Sequence, residues 1–307
     1  MSLSHHPPRL NNDEEELDIE KLVEDFEEFC SSDALSIDLL KEWLKVVPVG
    51  AVLYSAFLHD ACCNDHVTLE IVETILEFYP GAVSAQIDWL CPDGEANDVY
   101  PLHVACFSIG CPSSVIQLLI NKFNSALRYA CVIDCGVVIC DDYDFYDRVA
   151  GLPIHYYLMR EGNIDLDTVQ MMIEKYPEAL SMSDDKVIYT PIHVLMYHPN
   201  IEEMYDVAKF LIESDTSSLQ ISSGYEGLPL HVACCNSHIS SDIVRLLINI
   251  WPQSANMANQ GGFSALHLIC GAGVGISTDE EDEIALEIVR ILIDASHESV
   301  LQTTEEE

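Results

Sequence analysis

Cations are scarce in this chain: 13 Lys and Arg stand against 52 Asp and Glu, a formal net charge of −39 over 307 residues with histidine counted neutral. A surface so acidic repels phosphate backbones and anionic lipid headgroups, which argues against nucleic-acid and membrane partners. Long apolar runs are missing as well. The longest uncharged one, Val46 to Leu58, holds a proline and a glycine and is too short to span a bilayer. The opening residues, MSLSHHPPRLNNDEEE, lack the apolar core of a secretory signal. No glycine-rich phosphate loop and no nucleophile elbow occurs. Cysteine and histidine neighbour each other with no acid placed to orient a base. These absences predict a protein that is not an enzyme and has no cofactor.

What the chain does have is apolar residues, 49% of the total, ample for a sizeable core. Its twelve cysteines are scattered through apolar runs rather than spaced in loops. Without a leader, reduced thiols in the cytoplasm or nucleus are the expectation.

Two stretches look like metal sites: His59–His66, HDACCNDH, and His231–His238, HVACCNSH. On a helix His231, Cys234, Cys235 and His238 form one stripe, but its two histidines lie ~10 Å apart along the axis, a poor fit to one tetrahedral ion. Alignment of the chain with itself gives another reading. LPLHVAC at Leu228–Cys234 recurs as YPLHVAC from Tyr100, LPIHYYL from Leu152, TPIHVLM from Thr190 and SALHLIC from Ser264, with FLHDAC from Phe57 a weaker copy. The slots after histidine hold Cys, Leu or Met in turn, as packing positions do. Zinc at the two clusters and a regulatory subunit of an enzyme are the alternative readings.

Each copy is followed by a second apolar run, such as Ile243–Ala255 (IVRLLINIWPQSA), Val169–Ala179 and Ile71–Ala82. Both runs read as helices. Proline at the first position of the first run costs no hydrogen bond, and Thr190 and Ser264 stand where helix caps belong. Pro80, Pro177 and Pro252 end the second run. In the last copy, the acidic GISTDEEDE is expected to lengthen the turn between the two helices. Upstream, the stripe Ile19, Leu22, Val23, Phe26 and Phe29 and the run Ile37–Ala51 predict a capping helix pair with a charged outer face.

Thr190-Pro191-Ile192-His193, the stretch Asn259 to His267 and the leucine-rich second helices resemble the ankyrin-repeat family. The units run longer than its ~33 residues. The resemblance implies an all-α, ankyrin-like helix-turn-helix repeat solenoid with an N-terminal helical cap. The expected organisation is a flexible tail at 1–13, a capping pair at 14–51, six units at 52–302 and an acidic tail at 303–307. The resemblance also implies that the histidines bond backbone groups at helix starts, and that first helices and inter-repeat turns contact a protein partner.

The expected function is a non-catalytic scaffold or adaptor, a monomer whose partner is another protein with a basic surface. Candidate contacts at the turn tips are Asp184, Asp185, Tyr225, Glu226, Asn259 and Gln260, with Glu226 expected in solvent. The longest link between units, 127–150, adds Asp141, Asp142, Tyr143, Asp144, Phe145, Tyr146 and Asp147. Its first part is apolar enough to fold back as a short hairpin. Calcium binding in the second part is not supported, since the central glycine and distal glutamate of an EF-hand are missing. The purified protein should carry no stoichiometric zinc, and a chelator should leave its far-UV helical signal intact. One zinc per chain, with helix lost on chelation, would overturn the packing reading of both clusters.

Overall fold

Proline sets where the short helices begin. In the computed structural model, α5 (Pro101–Phe107), α7 (Pro153–Met159), α9 (Pro191–Met196) and α11 (Pro229–Cys235) all open on the proline of the recurring motif, whose fixed φ suits the first helical turn. The structure describes residues 6–8, 18–48, 56–90, 96–132, 150–182, 189–224, 226–272 and 279–305. These are mainly helical, and among them no helix is long and apolar enough to cross a membrane. The chain forms two compact units, Met1–Cys135 with Gly151–Lys175, and Gly136–Ala150 with Tyr176–Glu307.

In the first unit, α1 (Ile19–Ser31) packs on α3 (Phe57–Cys63), α3 on α5 and α5 on α7. A second row runs α2 (Ile37–Trp43), α4 (Leu69–Phe78), α6 (Ser113–Lys122) and α8 (Leu166–Lys175), each against the next. The apolar stripe of α1 is buried through Leu22, Phe26 and Phe29, whereas Ile19 faces solvent. Phe26 meets Trp43 and Phe57 at ring distances of 5.8 and 5.5 Å, so the upstream pair shares one core with the first recurring helix.

The second unit repeats the scheme. Short helices α9, α11 and α13 (Ala265–Ala272) succeed one another, as do α10 (Tyr205–Ser214), α12 (Ser241–Ile250) and α14 (Asp279–Glu305). Each long helix buries the same face; on α12 these are Ile243, Val244, Leu247 and Ile248. Proline ends the α-helix as expected, but the chain continues as a 3-10 helix at Pro80–Ser84, Pro177–Ser181 and Pro252–Asn256. Proline at the first position of that turn withdraws no needed N–H.

Three expectations require correction. The link after α4 is an antiparallel hairpin, β1 (Ile87–Leu90) with β2 (Ala96–Val99), pairing Ile87 with Val99 and Leu90 with Ala96. Its signal was the turn-favouring sequence Pro-Asp-Gly after a strand-forming IDWL. The acids Asp279–Glu283 belong to α14 rather than to a turn, because negative charge is favoured at a helix N-terminus. Thr190 stands at the N-cap of α9 but makes no capping bond with its hydroxyl, and both Thr190 and Ser264 set the hydroxyl beside a histidine. Their oxygens lie 2.7 and 2.8 Å from Nδ1 of His193 and His267. The hairpin expected in 127–150 falls largely outside the described residues; β3 (Cys131–Val132) and β4 (Ala150–Gly151) stand at either end of the undescribed part.

Leu247→Asp should remove most of the helical signal of the second unit, since an unpaired charge buried on α12 costs several kcal/mol, about 4 or more. Gln260→Lys, at an exposed turn position, should stay within about 0.5 kcal/mol of wild type in urea unfolding. Equal stability of the two variants would contradict this packing.

Candidate functional site

The recurring histidines sit at the third position of the short helices, where the helix start leaves backbone N–H groups without intrahelical partners. His103 Nδ1 accepts from the Tyr100 N–H at 3.2 Å. His155 does the same with Leu152 at 3.1 Å, and His231 with Leu228 at 3.0 Å. An imidazole that accepts at Nδ1 carries its proton on Nε2, and that proton reaches further along the chain. His59 donates to the Val99 carbonyl (2.9 Å), His103 to Tyr129 (2.7 Å), His193 to Gly227 (3.2 Å) and His231 to Met257 (3.0 Å). Each ring thus ties its own helix to the link that follows. His59 is the variant case. The Glu27 carboxylate takes the Ala56 N–H at 2.7 Å, and His59 Nδ1 is left buried without a hydrogen bond.

Burial sets the charge of these rings. Desolvation lowers the pKa of His59 and of His103 to about 4, against only partial compensation from their backbone bonds, and it lowers that of His231 as well. They are neutral hydrogen-bonding groups at neutral pH. His267 in the last copy is exposed, and keeps only the Ser264 end of the arrangement.

The eight-residue clusters are explained by their asparagine, which sequence reasoning passed over. Asn64 Nδ2 donates to the carbonyls of Cys30 and Ser32 (3.0 and 2.7 Å), and Asn236 Nδ2 to those of Met196 and His198 (2.8 and 3.0 Å). The Oδ1 of each accepts from the backbone N–H of the cluster's last histidine, His66 or His238. Asparagine five residues after the histidine therefore clamps the end of an earlier helix, α1 or α9. Arg160 fills the same slot just after α7, and its guanidinium donates to the Ile109 and Cys111 carbonyls. The shared CCN triplet was the available signal.

The thiols lean towards packing as well. Cys62, Cys106 and Cys234 are buried, and Cys63 and Cys235 exposed. Cys62 lies in hydrogen-bond contact with Cys111, which with burial pushes its thiol well above the usual range. Burial raises Cys106 likewise and carries Cys63 to about 11. Thiols so shifted are weak nucleophiles at neutral pH. Among the described residues, no three of His, Cys, Asp and Glu come together in a way that could hold a metal ion.

Of the turn-tip candidates, Asp141, Asp142, Tyr143, Asp144, Phe145, Tyr146, Asp147, Asp184, Asp185 and Tyr225 lie outside the described residues. Glu226 departs from expectation. It is half-buried, its carboxyl is pushed up by desolvation against a hydrogen bond with Tyr189, and its Oε2 is buried without a partner. The turn 223–227 is drawn inward by the bonds from His193, the Ser223 N–H and the Ser223 hydroxyl to the Gly227 carbonyl. Gly227 has φ +88°, and a Cβ there would stand 2.7 Å from the Asn259 side chain, so only glycine fits. Asn259 is half-buried and accepts from the Phe263 N–H at 3.0 Å, shaping its own turn. Gln260 is exposed, and so are Met257 and Phe263 beside it, two apolar positions the sequence reading did not select.

No protein-family model and no curated protein matches the chain.

Replacing His103 with Gln removes a tie whose strength depends on pH. The unfolded chain binds the His103 proton with a pKa near 6.5 and the folded chain only near 4, so the wild type loses stability as pH falls from 6.5 towards 4. The variant lacks that loss. The gap between wild type and His103→Gln, measured by urea unfolding, should therefore narrow by about 2 kcal/mol between pH 7.5 and pH 5. A constant gap would mean that His103 is not buried as a neutral ring.

Proposed function

We propose that this chain is a non-catalytic protein-recognition module, built as an ankyrin-like solenoid of helix pairs behind an N-terminal helical cap. The observation that carries the reading is the engagement of the chemistry-bearing residues in holding helices together. Histidines tie, asparagine and arginine clamp, and the buried thiols pack. What is left for a partner is exposed side chains on turns and on the outer helix surfaces, among them Gln260 and Phe263. A tie repeated from one helix pair to the next supports the repeat architecture, since such pairs bury their apolar faces only against neighbours.

The partner is another protein with a basic surface, because a net charge of −39 speeds encounter with cations and rejects acidic partners. The link bearing Asp141, Asp142, Tyr143, Asp144, Phe145, Tyr146 and Asp147 is the feature that selects it. Aromatic anchors with carboxylates around them suit a basic epitope.

The test is capture from native extract by the immobilised chain at low and high salt, beside a variant with Asp141–Arg148 replaced by a glycine-serine bridge. A protein retained at low salt, weakened by salt and lost by the shortened variant at unchanged Tm is the expected result. Capture of no protein by the wild type overturns the module reading. Undiminished capture by the variant overturns the role of the link.

A further inference from the structure

Two of the buried thiols touch between successive helix pairs. Cys62 stands in the last turn of α3, and Cys111 in the link 108–112 that joins α5 to α6. Both are fully buried free thiols, and their sulfurs are in hydrogen-bond contact. The backbones that carry them are close as well. A Cβ on Gly110 would stand 3.1 Å from the Cα of Asp65, so the two segments lie about as near as the backbones on either side of a disulfide.

Each segment is also held in place. Asn64, two residues after Cys62, donates to the carbonyls of Cys30 and Ser32. The Cys111 N–H bonds to the Ser108 carbonyl, and its own carbonyl accepts from Arg160 at 3.2 Å. Cys63, next in the chain, is exposed. Burial, then Asp60, then Cys111 raise its thiol, which places Cys111 near Cys63 as well as against Cys62.

We propose that Cys62 and Cys111 form a redox modification site: a small-molecule disulfide such as oxidised glutathione converts the touching thiols into a disulfide that joins α3 to the link before α6. Cys63 is the entry point. Its thiolate attacks one sulfur of the reagent, whose S–S bond breaks, and one glutathione leaves and takes up a proton. Cys111 then attacks the Cys63 sulfur and expels the second glutathione. Cys62 attacks the Cys111 sulfur and returns Cys63 to the thiol. Two protein thiols are oxidised, and one reagent disulfide is reduced to two thiols. Burial keeps the protein thiols protonated and the exchange slow, so contact rather than reactivity selects the pair. The crosslink closes a loop of about 50 residues. It makes covalent the step between the Asn64 clamp on α1 and the Arg160 clamp after α7. The inference stands independently of the recognition-module reading.

In the test, the full chain is incubated with oxidised glutathione at alkaline pH without denaturant. Remaining thiols are then alkylated, and the chain is digested without reductant for mass spectrometry. A Cys62–Cys111 crosslink should accumulate while the far-UV helical signal is retained. Tm should rise by about 5 °C or more, and dithiothreitol should reverse both changes. The same treatment should leave the Tm of Cys62→Ser unchanged. Cys106→Ser, which removes a buried thiol near Cys111, should form the crosslink as wild type does. Cys63→Ser should form it about ten-fold more slowly. Glutathione on Cys63 with no crosslink, a different pair crosslinked in its place, or a Cys62–Cys111 crosslink that lowers Tm overturns the proposal. An unchanged rate in Cys63→Ser overturns the entry step.

Discussion

A helix of seven residues has almost no independent stability in water, and this chain is built on several of them. Their persistence depends on the imidazole at the third position. One nitrogen accepts from the helix's own opening N–H, and the other donates to a carbonyl in the following link. Each neutral hydrogen bond adds about 0.5–1.5 kcal/mol net. More important is the alternative, a buried backbone group left without a partner. The same bond that ends a helix's isolation fixes where the next segment begins. The hairpin illustrates this, because its register places Val99 where His59 can reach it.

A second layer of contacts acts at the opposite end of the short helices. Asn64, Arg160 and Asn236 each donate to two backbone carbonyls of an earlier segment. Between α2 and α4, α6 and α8, and α12 and α14, the Lys41, Gln117 and Arg245 clasps do comparable work. The surface ion pairs among them are weak individually. Their value is in register, since each is met only when a helix lies at one height against its neighbour. Polar groups at ends and edges thus specify an arrangement whose stability comes mainly from the buried Leu, Ile and Val faces.

Much of this was legible in the residues. Prolines marked the helix starts at 101, 153, 191 and 229, and period-3.6 apolar patterning gave the long helices. Histidine recurrence pointed to a backbone role. What escaped the sequence was whatever depends on a partner some 30 to 50 residues away. Asn236 looks like an ordinary turn residue until Met196 and His198 are beside it. Glu226 reads as a solvated acid, but the Gly227 node draws its turn inward. The hairpin at 87–99 was obscured because a repeat in helices leads the eye to read every link as a turn. In the α14 extension the acids Asp279–Glu283 were counted as loop for their charge, although that charge suits a helix N-terminus.

The central claim, that neutral imidazoles hold successive elements together, is open to direct observation. Two-bond 1H–15N correlation spectra of the uniformly 15N-labelled chain report the tautomer and charge of each ring. The account predicts that His59, His103, His193 and His231 carry their proton on Nε2 at pH 7, and that His59 and His103 remain uncharged at pH 5.5. Nδ1-protonated rings at these positions, or charging of His59 and His103 near pH 6.5, would contradict it.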